Sequence, residues 1–285
     1  MPGTLYIVST PIGNLEDITL RALRVLKEVA LIACEDTRHT RKLLSHFQIQ
    51  KPTISYHDHN ERERTAALID KLEAGADIAL VSDAGTPLIS DPGSYIVREA
   101  IERQIPVVPI PGASALVTAL SAAGFQSGEF TFVGFLPSQP AARRTRLAEL
   151  AAVKTILVIY EAPHRIKATL KDAREAFGRR ECVIARELTK VHEEFVRAPL
   201  TELPEISARG EIVLLIGPKT DTPAEQTADE ATRSVVEEVE RLINLEGLDQ
   251  KSALKRVARA RGVSKSEAYR LMIAERSRDK HQEME

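Results

Sequence analysis

The chain has little cysteine, no excess of charge of either sign and no hydrophobic run of bilayer length, and each absence closes off a class of function. Its two cysteines among 285 residues, Cys34 and Cys182, lie far apart in or beside apolar segments. That spacing suits neither a disulfide framework nor a zinc site, so reduced thiols and a cytoplasmic location are expected. A formal net charge of -2 argues against a basic coat for nucleic acid but leaves room for a local patch. No stretch approaches the ~20 apolar residues of a membrane span, and no charged, apolar leader precedes the first strand pattern, so no signal peptide is expected. The glycine fingerprint of dinucleotide folds, the P-loop, H-E-x-x-H and G-x-S-x-G are all missing.

What is present is an apolar fraction of 43%, ample for real cores. Short β-rich runs occupy residues 5–8, 30–34, 78–81, 106–108, 129–133, 155–160, 181–186 and 211–216. Helical patterns fall between them at 19–28, 37–47, 62–74, 95–103, 114–122, 143–151, 165–177 and 204–208. Strands alternating with helices predict an α/β protein with mainly parallel pairing. The expected division is an N-terminal α/β domain over 1–115 and a second over 116–220. A Pro-containing linker over 221–230 then leads to an all-helical region over 231–285.

The helical region splits its charge. Residues 221–250 carry nine acidic and two basic side chains, whereas 251–285 carry ten Lys/Arg against five Asp/Glu. Leu254, Val257 and Ala258 form an apolar stripe, Gly262 breaks the helix, and Ser264 with Glu267 starts the next as a capping box. The outline is that of a helix-turn-helix; a small helical cap with a solvated basic face fits equally well.

Four strand-to-helix turns stand out: Ser9-Thr10-Pro11-Ile12-Gly13-Asn14, Ser82-Asp83-Ala84-Gly85-Thr86-Pro87, Pro111-Gly112-Ala113-Ser114-Ala115 and Tyr160-Glu161-Ala162-Pro163-His164-Arg165. Ligands of α/β sheets sit where strands end, so the four suggest one shared pocket. Small residues at Ala84 and Gly85 let a ligand touch backbone, while Asp83 and Thr86 offer polar groups; a tight turn with an Asx contact is the simpler alternative. After the second strand, Asp36 or Thr37 caps a helix on which Arg38, Arg41 and Lys42 share a face, as a phosphate-bearing substrate would want. A solvated surface explains the same charges. His57-Asp58-His59 is too small a set for a metal site, and no metal is expected. Pro163 fits a first helical turn, which leaves Glu161, His164 and Arg165 at a pocket mouth. Arg186-Glu187-Leu188-Thr189-Lys190 ends another strand in a charged loop.

These turns, together with 34–41, 130–137, 185–192 and 210–217, resemble the tetrapyrrole-methylase superfamily of S-adenosylmethionine-dependent methyltransferases. The likeness is nearest to its branch that acts on small-subunit ribosomal RNA. The resemblance implies two α/β domains of the class III methyltransferase type flanking a cofactor cleft, usually in a homodimer. It implies S-adenosylmethionine as cofactor, held at Pro11, Asp83, Ala84, Gly85, Thr86, Ile89, Ser114, Ala115, Tyr160 and Glu161. Thr86 stands where the small-molecule enzymes carry aspartate. The implied reaction is 2'-O-methylation of a cytidine in the decoding region of 16S rRNA within the 30S subunit. Glu35, Asp36, Asp83, Glu161 and His164 are candidates, unranked, for the base or charge stabiliser that a hydroxyl nucleophile needs. Arg38, Arg41, Lys42, Arg165 and Lys190 are candidates for RNA phosphate. A superfamily enzyme acting on a tetrapyrrole or on diphthine precursors is the nearest alternative. An RNA-binding protein with a vestigial pocket and a helix-turn-helix regulator are the others.

Overall fold

The computed structural model describes residues 1–126, 128–207, 209–219 and 234–282. The chain divides into two compact units, Met1–Lys219 and Thr220–Glu285. The linker expected over 221–230 lies outside the described residues, as do 231–233 of the helical region and its last three positions.

The first unit contains two five-stranded sheets. Strands β1 (Leu5–Val8), β2 (Leu31–Cys34), β3 (Thr53–Ser55), β4 (Ile78–Val81) and β5 (Val107–Ile110) pair in the order β3-β2-β4-β1-β5. All four ladders are parallel. Every residue of β4, Ile-Ala-Leu-Val, is buried, as a central strand covered on both faces requires. On one face Leu5, Ile78 and Leu80 pack against Leu68, Ile69 and Leu72 of α3 (Glu61–Glu73) and Ile96 of α4 (Ser94–Glu102). On the other, Val8, Ile32 and Val81 meet Val25 and Leu26 of α1 (Leu20–Glu28) and Leu44 of α2 (Thr37–His46). Helix starts follow local chemistry: Thr19 accepts from the Ala22 N–H and Asp36 from the Arg38 N–H, each satisfying an orphan donor.

This strand order places the ligand crevice. From β1 the chain crosses to β2 on one side, and from β4 it crosses to β5 on the other. β1 and β4 are neighbours, so the order reverses between their C-terminal ends, where open α/β sheets bind ligands.

The second sheet comprises β6 (Phe130–Phe135), β7 (Ile156–Glu161), β8 (Glu181–Arg186), β9 (Glu194–Pro199) and β10 (Ile212–Ile216), in the order β6-β7-β10-β8-β9. Helices α6 (Pro140–Leu150) and α7 (Ile166–Phe177) cover one face through Leu147, Leu150, Ile166 and Leu170. Helix α5 (Ala115–Ala123) covers the other through Leu116 and Ala119, joined there by Ile12 from the turn after β1. Parallel pairing, expected to predominate, holds in this sheet only for β6 with β7. Strand β10 slots between β7 and β8 antiparallel to both, and β9 returns on β8 as a hairpin. All five β10 residues are buried, and a uniformly apolar strand carries no mark of its direction.

Two strands escape the sequence pattern. β3 has three half-buried residues, and β9 (Glu-Phe-Val-Arg-Ala-Pro) is an edge strand with charges interleaved. The helix expected at 204–208 does not form among the described residues. A 3-10 turn occupies Leu200–Glu202, and the irregular segment after it buries Leu203 and Ile206 in the core beneath α7. Pro163 lies in the turn that precedes α7 rather than in its first helical turn.

The second unit is helical: α8 (Val235–Glu246), α9 (Gln250–Ala260) and α10 (Lys265–Gln282). Ser234 and Glu237 form a reciprocal capping box and Gly247 ends α8 in the left-handed conformation. Ser264 accepts from the Glu267 N–H at 3.2 Å. Leu254, Val257 and Ala258 join Val235, Val239 and Met272 in its core.

A buried ion pair ties α6 to α7. Asp172 Oδ2 accepts from Arg143 Nε at 2.8 Å and Nη2 at 2.7 Å, with both side chains under a tenth exposed. Removing one partner strands the other charge, so Asp172→Ala is expected to cost about 3–5 kcal/mol in urea unfolding. Replacing both at once, Arg143→Met with Asp172→Leu, is expected to recover most of that loss.

Candidate active site

Two backbone hydrogen bonds close the crevice between β1 and β4. Thr10 N–H donates to Gly85 O at 2.9 Å and Gly85 N–H to Thr10 O at 3.0 Å, an isolated antiparallel bridge between the two turns. Gly85 sits at φ +83°, a conformation glycine adopts without a Cβ penalty. A hydroxyl relay ties in the turn after β5: Ser9 Oγ lies 3.0 Å from Thr86 Oγ1, which donates to Ala113 O at 3.1 Å. Gly112 permits this approach, since a Cβ there would stand 2.7 Å from the Ser9 Cβ.

The cavity that results, about 390 Å³, falls in the range of sites for drug-sized ligands (~300–1,000 Å³). Its floor is the segment from Asp83 to Asp91, and its far wall comes from the second sheet. Because β10 runs antiparallel to β7, the start of one lies beside the end of the other: Ile212 pairs with Glu161 and Val213 with Tyr160. Both pairs reach the cavity. Tyr160 also serves α5, whose N-cap Ser114 makes no side-chain cap bond. The phenol oxygen accepts from the Leu116 N–H at 3.1 Å.

The electrostatics of the lining are one-sided. Asp83, Asp91, Glu161 and Glu211 border the cavity, and no lysine or arginine does among the described residues. Burial, and then the charges of Glu35, Asp83 and Asp58, push the Asp91 carboxyl up to about 6, with the Ser82 hydroxyl partly offsetting them. Burial, followed by Asp83 and Asp58, likewise raises Glu35, and His57 opposes the shift. Burial also raises Tyr160, and Asp91 adds to that.

Of the positions expected to hold a cofactor, Asp83, Ala84, Gly85, Thr86, Ile89, Ser114, Ala115, Tyr160 and Glu161 border this cavity. Pro11 does not: it is buried behind the wall, and its neighbour Ile12 faces the space instead.

The candidate bases scatter. Glu161 is 2% exposed and its carboxylate is occupied, accepting from Thr169 Oγ1 at 2.5 Å and Ala162 N–H at 2.9 Å beside Arg165 Nε at 3.3 Å. Asp36 caps α2 and clamps Arg38, whose guanidinium holds the carboxyl well below the usual range. Glu35 is half-buried and lies off the cavity wall. His164 is exposed in the turn before α7, also off the wall.

The phosphate candidates divide as well. Arg38, Arg41 and Lys42 are exposed along α2, with Arg38 paired to Asp36 at 2.7 Å and Arg41 Nε donating to Thr53 Oγ1 at 3.3 Å. Arg165 is committed elsewhere: its Nη2 donates to Leu136 O at 2.7 Å and Pro137 O at 2.9 Å, latching the segment after β6 to the end of β7. Lys190 is held between Glu187 at 2.9 Å and Glu211 at 3.2 Å.

Sequence reasoning passed over Asp91, Ser90, Phe135, Leu188 and Glu211 on the wall. Asp91-Pro92-Gly93 reads as an ordinary turn, and only its fold-back brings Asp91 to the cavity. The rings of His57 and His59 lie 5.9 Å apart, edge to face. No group of three or more potential metal ligands occurs among the described residues.

A sequence model of the Tetrapyrrole (Corrin/Porphyrin) Methylases matches residues 4–204, and the chain belongs to this family. Within it, the chain is 48% identical to a protein of Halalkalibacterium halodurans over 94% of each chain. It is also 48% identical to one of Pseudomonas aeruginosa, over 94% of this chain and 95% of the relative. Both relatives are named Ribosomal RNA small subunit methyltransferase I. Uroporphyrin-III C-methyl transferase from Thermus thermophilus, solved with S-adenyl homocysteine, shares the fold. Its TM-score is 0.53 at 21% identity, covering 75% of this chain and 97% of that one.

Asp91 gives the site a pH signature. A carboxyl raised to about 6 from an ordinary ~3.9 favours its protonated form in the folded state. Its contribution to stability is therefore full below about pH 4 and lost as pH rises through 6. Asp91→Asn is expected to gain about 1–2 kcal/mol on the parent between pH 4 and pH 7.5 in paired urea titrations, after discounting for partial solvent screening. A constant difference between the two proteins across that range would contradict this assignment.

Proposed function

We propose that the protein is an S-adenosylmethionine-dependent methyltransferase that modifies the ribose 2'-oxygen of a cytidine in 16S rRNA of the small ribosomal subunit. The observation that carries the cofactor is the charge of the cavity: among the described residues four carboxylates and no lysine or arginine border it. Although Arg165 and Lys190 pair with Glu161 and Glu211 from off the wall, Asp83 and Asp91 leave the lining negative. Such a lining repels phosphate-bearing cofactors and favours a sulfonium cation. The donor set fits the rest of the molecule as well. Ile12, Ile89, Leu188 and Val213 supply apolar wall for an adenine ring, and the backbone of Ala84 and Gly85 offers close polar contact. When bound, the cofactor supplies a methyl group on a cationic sulfur, already a good leaving group.

The rest falls to the chain's own residues. The turns at Thr10, Gly85 and Ala113 fix the shape of the cavity before ligand arrives, so orientation need not be acquired during the reaction. Asp91 is the carboxylate we assign to the proton of the attacking hydroxyl. It is half-buried on the cavity wall, and its pKa near neutrality suits a general base. Names of the relatives supply the RNA substrate, and the exposed basic row Arg38, Arg41 and Lys42 on α2 gives it a phosphate-facing surface. We place the particle in the 30S subunit, the enzyme in the cytoplasm as a homodimer, and the two α/β domains at 1–115 and 116–220. Buried, unpaired Cys34 and Cys182 suit a reducing compartment, and no helix among the described residues is long and apolar enough to cross a membrane.

Isolated small subunits incubated with methyl-labelled S-adenosylmethionine are expected to take label on the 2'-oxygen of one cytidine, mapped by nuclease digestion and mass spectrometry. No transfer despite measurable cofactor binding would refute the assignment. Asp91→Asn is expected to lower kcat by about 10²–10⁴.

We also assign RNA grip to the helical unit, where Lys251, Lys255, Lys265 and Arg270 are exposed. Changing all four to Gln is expected to weaken subunit binding. It is also expected to flatten the slope of log affinity against log salt by about 0.7 for each phosphate that is no longer neutralised. An unchanged slope would place the RNA elsewhere.

A further inference from the structure

Strand β6 breaks its own alternation at the cavity. Phe130, Thr131 and Phe132 pair with Ile156, Leu157 and Val158, but the next paired residues are Gly134 with Ile159 and Phe135 with Tyr160. Val133 is the extra residue of a β-bulge. Without it, period-two alternation would put Phe135 on the face of Leu157 and Ile159, inside the core under α6 and α7. With it, Phe135 returns to the face of Val158 and Tyr160, while Val133 packs into that core. Gly134 makes the turn at φ +69°, a left-handed conformation that favours glycine. A bulge beside a binding site commonly re-aims a side chain, and here the side chain is a phenyl ring.

Its setting is unusual for phenylalanine. Phe135 borders the cavity yet remains 57% exposed. It leans edge-on against Tyr160, with centroids 5.7 Å apart, and Tyr160 is pinned by the Leu116 N–H and by Phe132 at 5.0 Å. The ring is thus supported from behind while much of its surface stays in water. Folding alone gives no reason to build a bulge that takes a large apolar side chain out of a core and sets it at a cavity mouth.

We propose that Phe135 forms a stacking subsite for a planar heterocyclic base, namely the pyrimidine of the nucleotide whose ribose enters the cavity. The inference rests on the RNA-methyltransferase reading above and adds to it a place for the base. An aromatic face is what a base removed from its stack requires, and base–aromatic stacking needs no hydrogen bond of its own. Holding the base at the mouth would set the attached ribose at the wall that carries Asp91.

The test compares Phe135→Ala, Phe135→Leu and Phe135→Trp with the parent. It measures KM and kcat on isolated small subunits, and the Kd for S-adenosylhomocysteine by calorimetry. Ala and Leu are expected to raise KM for the subunit ten- to a hundred-fold while leaving the cofactor Kd within two-fold, and Trp to stay within three-fold of the parent. Leu separates stacking from plain apolar contact, and the exposed position makes loss of folding a poor explanation; unfolding midpoints check this. A Leu variant equal to the parent overturns the proposal. So does a loss of cofactor affinity that matches the loss of activity, because Phe135 would then belong to the cofactor wall. If the parent itself transfers no methyl group to subunits, the RNA-methyltransferase reading fails and this subsite falls with it.

Discussion

The pair of backbone hydrogen bonds between Thr10 and Gly85 is the constraint on which the working end of the molecule depends. Each contributes only about 1 kcal/mol net, so their importance is geometric. They join the turn after β1 to the turn after β4 at the point where the strand order reverses. The Ser9–Thr86–Ala113 relay extends the same clasp to the turn after β5. Ile12, two residues past the bridge, then enters the apolar layer between α5 and the second sheet. One short segment thus belongs to the rim of the first sheet and to the core beside the second, and the cavity lies where they meet. Gly85 and Gly112 are the positions at which a side chain would disturb this arrangement most directly.

Around that clasp, charge is sorted by job. Two cations near the cavity, Arg165 and Lys190, are committed to carbonyls and carboxylates and do not border it. Arg165 latches Leu136 and Pro137, and its proximity to Glu161 compensates a carboxylate that would otherwise be a buried lone charge. Lys190 bridges Glu187 and Glu211. The carboxylates left without such partners gather near Asp91, and their mutual repulsion, added to burial, raises its pKa. The same repulsion would be relieved by a cationic ligand, so the unfavourable charge clustering of the free protein is a source of affinity for the right cofactor.

Much of this was legible in the sequence, and the rest was hidden for identifiable reasons. β4 and β8 fall at the residues their apolar runs indicate, and the turns at 82–87 and 111–115 do converge. Caps at Asp36 and Ser264 were readable because capping is local chemistry. The antiparallel insertion of β10 was not, since a strand buried on both faces has the same composition in either direction. β9 was hidden because an edge strand keeps its charges. Arg165 and Lys190 were phosphate candidates because part of what holds them, the carbonyls of Leu136 and Pro137 and the carboxylate of Glu211, is distant in sequence. Asp91 and Phe135 were invisible as site residues for a related reason: one depends on how a loop folds back and the other on a single extra residue in a strand.

That loop and that bulge explain each other. Leu88 and Ser90 both hold positive φ, at 70° and 69°, without being glycine, a conformation that costs of order 1 kcal/mol or more each and clusters at functional sites. Gly85 and Gly93 flank them with φ of 83° and 135°, so the chain from 85 to 93 winds tightly enough to bring Ile89, Ser90 and Asp91 onto the cavity. The winding must stop against something. Gly134, the turning residue of the bulge, meets it: a Cβ there would lie 3.3 Å from Ser90 Oγ. The bulge therefore does two things with one residue. It leaves room for the curled loop that carries Asp91, and it turns Phe135 toward the same space. In a regular β6 the phenyl ring would be lost to the core, and a side chain in place of Gly134 would crowd the Ser90 hydroxyl. The positive φ at 88 and 90 and the broken alternation at 133 thus meet at one contact, Gly134 against Ser90, on the border of the cavity.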